Sequence, residues 1–262
     1  MKTASNKLFA YALLPVLILF FTSCSNDAED TMAPEGTLLQ TEVQTLLDTD
    51  EITSTVDSAL AELFGQDGNS SKSVSNECYS AEYTDTGFTA TFNNCVLNGT
   101  DNINGTMIVT YGAGENSAEF TAVYEDFYIG DMKINGTRTF TINVSESEVI
   151  GTVAYSITSN LTVEFADGST LSESGTKNFS IVFEEGQDTL WNVSGSWTIQ
   201  KDGNTYAIEG NISRQLNCAY WSSGNLAINK NGLEVTVDFG DGTCDDSATL
   251  TYPDGTTEEI TL

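Results

Sequence analysis

The sequence predicts a mainly β protein: an antiparallel hairpin meander that forms a curved sandwich or incomplete barrel, preceded by two short helices. From Glu77 to the end, apolar and polar residues alternate, as in LTVEF (161–165) and LEVTVDF (233–239). This alternation is typical of antiparallel strands with one buried face. Asp-Gly or Asn-Gly dipeptides separate these runs at 167–168, 202–203, 231–232 and 254–255, and such dipeptides favour two-residue hairpin turns.

The first 23 residues are predicted to be a signal peptide. Lys2 and Lys7 precede the apolar run LFAYALLPVLILFF, from Leu8 to Phe21. That run is too short to span a bilayer comfortably and has the composition of the apolar core of an export signal.

Cys24 follows the small residues Thr22 and Ser23 at the end of the apolar run. This arrangement resembles the lipobox of bacterial lipoproteins, which implies cleavage before Cys24 and lipidation of its thiol. Residues 24–36, with the sequence CSNDAEDTMAPEG, resemble the acidic tether of surface-exposed Bacteroidetes lipoproteins. The resemblance implies a protein anchored in the outer membrane by lipid and exposed at the cell surface, since several buried acyl chains anchor a protein stably.

Residues 37–65 have a different period from the rest of the chain. Apolar residues recur there at steps of three and four, which predicts two short helices with a break near Asp48 to Asp50 and a stop at Gly65. Residues 66–76, QDGNSSKSVSN, are predicted to be a linker. Residues 77–262 are then the antiparallel β-domain.

Four cysteines are left once Cys24 is assigned to lipid. An even number in an exported protein predicts two disulfides, with three alternative connectivities. Proximity in the sequence favours Cys78 with Cys95 and Cys218 with Cys244, and closing loops of this length stabilises a fold by about 3 kcal/mol.

The charge of the chain excludes nucleic acid as a partner. Without residues 1–23, seven basic and 38 acidic side chains are left, a formal net charge of −31. Such a field repels polyanions, whereas cationic ligands and divalent ions are compatible with it.

Aromatic residues are the main candidates for ligand binding. Tyr124, Tyr128, Trp191, Trp197 and Trp221 could form a platform that stacks on sugars or apolar ligands. The alternative is that these rings fill a β-sheet core. Strand alternation in YEDFY (124–128) places Tyr124 and Tyr128 on one face and Phe127 on the other.

A cluster of acids near the C-terminus, in VDFGDGTCDD (237–246), is a weaker candidate for a calcium site. Asp241, Asp245 and Asp246 are the carboxylates available, and hard cations prefer such oxygen ligands. The spacing does not match an EF-hand, so the other interpretation is a corner of the fold held by the Cys218–Cys244 pair. No other cofactor is expected.

No catalytic residues are predicted, and the chain is not expected to be an enzyme. It has no histidine and no two glycines four residues apart, so the nucleophile motif GxSxG is absent. The alternative is a carboxylate-dependent glycan hydrolase, because 38 acidic residues offer many carboxylate pairs.

The C-terminal segment NLAINKNGLEVTVDFGDGTCDDSATLTYPDGTTEEITL, with the upstream ADGST and QLNC stretches, resembles the C-terminal region of uncharacterised Bacteroidetes surface lipoproteins. The resemblance implies an exported β-protein and no particular activity. We therefore expect a binding or accessory role at the cell surface, towards a glycan, an envelope protein or an ion.

Overall fold

The computed structural model describes residues 37–66, 73–75, 78–97, 102–113, 118–145, 151–183, 186 and 188–262. The predicted signal peptide and tether, residues 1–36 with Cys24, lie outside these ranges. Of the predicted linker, 66–76, the structure describes Gln66 and the short strand Ser73–Ser75. Among the described residues, no helix combines the length and the apolar character that crossing a membrane requires.

Among the described residues the predicted helical segment forms a single helix, α1, over Gln40–Gln66, so the prediction of two helices was wrong. Two of the polar residues expected to break it, Asp48 and Thr49, make hydrogen bonds within the helix. Asp48 accepts a hydrogen bond from Gln44 Nε2 at 2.7 Å, and Thr49 Oγ1 donates to the carbonyl oxygen of Thr45 at 2.9 Å. Because the segment contains no proline, these local bonds let the helix continue.

The prediction of a mainly β, antiparallel meander is confirmed: in the part of the chain that the structure describes, fourteen strands pair antiparallel in one sheet. Their bounds are β1 Ser73–Ser75, β2 Tyr79–Thr84, β3 Gly87–Cys95, β4 Ile103–Ala113, β5 Ala118–Ile129, β6 Met132–Ser145, β7 Gly151–Glu164, β8 Thr170–Phe183, β9 Leu190–Lys201, β10 Asn204–Gln215, β11 Ser223–Lys230, β12 Leu233–Asp241, β13 Ser247–Thr251 and β14 Thr257–Thr261. Each strand pairs with the next along the chain, from β1 to β14. The meander is therefore a succession of local hairpins.

The predicted turn dipeptides lie between consecutive strands. Asp202-Gly203 joins β9 to β10 and Asn231-Gly232 joins β11 to β12, with φ positive at all four residues. Positive φ at both central positions is the requirement of a type I′ turn, whose twist matches that of the paired strands.

The helix packs on one face of the sheet and contacts strands along most of its width. Near its C-terminal end, Tyr83 Oη on β2 donates to the carbonyl oxygen of Leu63 at 2.9 Å. Near its N-terminal end, Gln40 Nε2 donates to the carbonyl oxygen of Thr261 on β14 at 2.8 Å. The same helix thus holds both halves of the meander.

Burial of apolar side chains supplies the main adhesion between helix and sheet. Val56, Leu60 and Leu63 pack with strands β2 to β7, whereas Val43 and Leu46 pack with strands β8 to β14. Each of these side chains is at most 6% exposed, and burying one contributes about 1.5–3 kcal/mol.

Glycines inside the strands let neighbouring backbones approach closely. Gly136 on β6 has φ +120°, and a Cβ there would collide with the carbonyl oxygen of Asn160 on the paired strand β7. No larger residue fits at this position without moving the strands apart.

The two cysteine pairs have the pairing that sequence proximity favoured. The Cα atoms of Cys78 and Cys95 lie 5.2 Å apart, and those of Cys218 and Cys244 lie 5.3 Å apart. The second pair joins the loop before β11 to the loop before β13. That covalent link fixes the position of the loop at residues 219–221.

Replacing Gly136 by alanine should lower the free energy of unfolding by about 1–3 kcal/mol more than replacing Gly168, measured by urea denaturation. Both glycines have positive φ, but a Cβ on Gly168 has nothing within 4 Å. The two variants share a positive φ, and only the one at Gly136 adds a collision with the neighbouring strand. Equal losses in the two variants would contradict the close approach of β6 and β7.

Candidate functional site

A cavity of about 590 Å³ lies between α1 and the sheet. Its residues come from the helix, from strands β6 to β10, from the loop at 219–221 and from the C-terminal residue Leu262. The aromatic ones are Tyr155, Phe179, Trp191, Tyr220 and Trp221, the polar ones are Gln44, Asp48, Asp57, Arg138 and Arg214, and the remainder are Leu47, Ile157, Val193, Ala219 and Leu262. Apolar walls with a few converging polar groups are typical of small-molecule sites of this volume.

The register of the central strands brings the aromatic rings together. Tyr155 on β7 is the cross-strand partner of Phe179 on β8, and their rings stack with centroids 5.0 Å apart and planes 10° from parallel. The rings of Trp191 and Trp221 meet edge to face at 6.1 Å. These contacts hold the rings in fixed orientations, which reduces the entropy that ordering them on a ligand would cost.

Arg214 on β10 is held against the two indole rings. It is the cross-strand partner of Trp191, and its guanidinium carbon lies 5.1 Å from the ring centre of Trp191 and 5.3 Å from that of Trp221. Both distances are within the range of cation–π attraction. Its Nη1 also donates to the carbonyl oxygens of Ala219, at 2.9 Å, and Cys218, at 3.3 Å.

Arg138 and Asp57 form a second polar contact in the cavity. Arg138 Nη1 donates to Asp57 Oδ1 at 2.7 Å, and the Arg138 side chain is 3% exposed against 28% for Asp57. Glu173 and Lys177 on β8 make a further ion pair nearby, at 2.7 Å, and both are almost fully buried. Buried pairs of this kind resist disruption because removing one partner leaves the other charge desolvated.

The pKa of the Asp57 carboxyl is raised from 3.8 to about 6. Burial is the largest cause, and the negative charge of Glu173 adds to it, whereas Arg138 and Lys177 lower the pKa. Burial also raises the pKa of the nearby Tyr155 hydroxyl. The cavity therefore disfavours uncompensated negative charge on its own side chains.

The five aromatic candidates from the sequence do not lie together. Trp191 and Trp221 line the cavity. Tyr124 and Trp197 are buried in the core at 2% and 5% exposure, and the ring of Tyr128 is half-buried beside Lys133, whose Nζ lies 5.6 Å from the ring centre.

A β-bulge explains why Tyr124 and Phe127 are buried together. The register of β5 against β6 shifts between these two residues, and Asp126 has φ +44°. A bulge adds one residue to the strand and so reverses the alternation beyond it. The expectation that Tyr124 and Tyr128 share a face was therefore wrong.

The acidic loop between β12 and β13 uses carboxylates to hold its own backbone. Asp241 Oδ1 accepts hydrogen bonds from Thr243 N at 3.2 Å and Thr243 Oγ1 at 2.9 Å, and Asp245 Oδ1 accepts one from Ser247 N at 3.0 Å. Asp246 follows directly, before β13 begins. Within the described part of the chain, no group of three or more Asp, Glu, Cys or His side chains is placed to hold a metal ion.

Sequence reasoning missed most of the cavity residues, including Asp57, Arg138, Tyr155, Phe179 and Arg214. One signal was present: Arg138 and Arg214 are the only arginines in the chain, and both line this cavity. The two arginines are 76 residues apart in the sequence, so their proximity in the cavity follows from the strand register and not from a local motif.

Comparison of the chain with protein-family models, with curated proteins and with solved structures gives no match.

The raised pKa of Asp57 predicts how the free energy of unfolding depends on pH. Relative to Asp57→Asn, the native chain should lose stability as pH rises from about 4 to about 6, because the folded state keeps a proton on Asp57 that the unfolded state has released. Urea denaturation across about pH 3 to 7 measures this difference.

Asp241→Asn is the matched control. Hydrogen bonds from Thr243 lower the pKa of Asp241, so the native chain should lose stability relative to that variant as pH falls through the Asp241 pKa. A stability advantage over Asp57→Asn that grows with pH would show that the Asp57 pKa is not raised.

Proposed function

We propose that this chain is a lipid-anchored binding protein of the outer membrane, exposed at the cell surface, and that the cavity between α1 and the sheet is its binding site. The observation that carries the proposal is the convergence of both arginines and five aromatic side chains on one cavity of about 590 Å³. Anchoring through the Cys24 thiol and an acidic tether would hold this domain close to the membrane, with the cavity accessible to ligands outside it.

The proposal includes a sheet that curls around α1 as an incomplete barrel. Gln40 and Leu63 are separated by about 35 Å along the helix axis, whereas β2 and β14, the strands they contact, would lie about 58 Å apart in a flat sheet. A helix of this length reaches both strands more readily when the sheet curves. The curvature would also enclose the space that forms the cavity.

Among a glycan, an envelope protein and an ion, the cavity favours a small organic ligand. Envelope proteins would need a broad contact surface of about 800 Å² on each partner, and a hard cation would need several oxygen ligands at one point. Stacked rings beside polar groups suit the flat faces of a sugar or of an apolar molecule. The proposed ligand is therefore a small organic molecule, and a short glycan is one such molecule.

A hydrolytic role receives less support. The acidic side chains that line the cavity are those of Asp48 and Asp57, which are nine positions apart on α1 and so about 13.5 Å apart along its axis. Glycoside hydrolysis needs two carboxyl groups within about 5–9.5 Å. Asp57 is also engaged by Arg138, which makes it a poor partner for a second acid.

The binding proposal predicts a saturable fluorescence increase when the neutral aromatic probe N-phenyl-1-naphthylamine is added to the mature chain carrying Cys24→Ser. Ala219→Trp should abolish most of that increase, because Ala219 lines the cavity and an indole would fill it. Ala207→Trp is the matched control, since Ala207 is exposed on β10 and does not line the cavity. Absence of saturable binding, or equal loss in both variants, would contradict the proposal.

A further inference from the structure

Arg214 differs from every other cation that the structure describes, because no carboxylate lies within ion-pair distance of it among the described residues. The other five described cations each have one. Those pairs are Lys133–Asp126 at 2.8 Å, Arg138–Asp57 at 2.7 Å, Lys177–Glu173 at 2.7 Å, Lys201–Asp202 at 4.0 Å and Lys230–Glu42 at 2.7 Å. In a chain with 38 acidic and nine basic residues, a cation without a carboxylate partner is unexpected.

The surroundings of Arg214 hold its position without neutralising its charge. Two indole rings lie within 5.3 Å of the guanidinium carbon, and Nη1 donates to two backbone carbonyls, those of Cys218 and Ala219. Cys218 is itself tied to Cys244. A guanidinium held in this way is ready to bind an anion with little further ordering.

Two buried N–H donors next to this charge have no hydrogen-bond acceptor among the described residues. They are Nε of Arg214 and Nε1 of Trp191, and both residues line the cavity. A buried donor without an acceptor destabilises the protein, so an acceptor supplied by a ligand would gain the corresponding stabilisation.

We infer that the ligand is a small molecule with one oxyanion group, such as a carboxylate, which binds at Arg214 and Trp191, and with an apolar or flat body that packs on the rings and aliphatic walls of the cavity. This inference rests on the proposed binding function and names its ligand class. The net charge of −31 that is left without residues 1–23 repels anions at long range. Recognition therefore depends on this one local cation, which suits a single anionic group better than a polyanion.

The test compares two probes with the same aromatic skeleton. 8-Anilinonaphthalene-1-sulfonate carries an anionic group that N-phenyl-1-naphthylamine lacks, so the ratio of their dissociation constants measures the preference for an oxyanion. In the mature chain with Cys24→Ser, we expect the anionic probe to bind about ten-fold more tightly or better. Arg214→Gln should remove this preference, so that the dissociation constants of the two probes become similar. Lys201→Gln, which removes a cation outside the cavity, should leave the preference intact.

The outcomes separate this inference from the binding proposal. Failure of both probes to bind would contradict the binding proposal and with it the inference. Binding of the neutral probe without preference for the anionic one, or a preference that survives Arg214→Gln, would overturn the inference alone.

Arg214→Gln could disturb the loop that Arg214 holds, and the loss of neutral-probe binding would reveal this. Trp191→Phe is then the second test of oxyanion binding, because it removes the Nε1 donor and keeps an aromatic ring. A preference unchanged from the native chain in Trp191→Phe would overturn the inference. Displacement of the bound anionic probe by decanoate or by galacturonate, each with one carboxylate, distinguishes an anionic amphiphile from an acidic sugar, and displacement by neither would also overturn it.

Discussion

The contact between α1 and the sheet is the constraint on which the rest of this structure depends. Within the described chain, α1 is the helix that covers the apolar face of fourteen strands, and it reaches from β2 at one end to β14 at the other. One helix is too narrow to fill the whole space above such a sheet. Where its side chains and those of the central strands do not meet, the cavity opens, with the Asp57–Arg138 ion pair at the junction.

The distribution of charge follows from this arrangement. Acidic side chains are mostly exposed and keep the strand surface hydrated. The few cations form ion pairs at particular places: two of them, Lys230–Glu42 and Arg138–Asp57, join the sheet to α1, and the third, Lys177–Glu173, lies within β8. Arg214 lies at the cavity, where two indole rings and backbone carbonyl groups contact its guanidinium. Charge that would be costly to bury is thus placed where the helix meets the sheet or where rings and carbonyl groups surround the cation.

Sequence patterns predicted the strands but did not predict which residues line the cavity. Alternation and turn dipeptides are local, so they predicted the antiparallel meander and the hairpins at Asp202-Gly203 and Asn231-Gly232. The prediction of two helices was wrong because Asp48 and Thr49 are residue types that favour helix ends. In the structure each of them has a hydrogen-bond partner one turn earlier in the same helix. The cavity depends on the register of five paired strands, β6 to β10, and that register leaves no periodic trace in the sequence.

The claim that a ligand binds between α1 and the central strands is tested most directly by the three indole N–H resonances in a ¹⁵N correlation spectrum. Trp191 and Trp221 line the cavity, whereas Trp197 is buried beside Lys177 outside its lining. Titration of 8-anilinonaphthalene-1-sulfonate, with resonances assigned through single Trp→Phe variants, should shift Trp191 and Trp221 and leave Trp197 nearly unchanged. A probe that binds while Trp191 and Trp221 stay unshifted, or that shifts Trp197 most, would contradict the account.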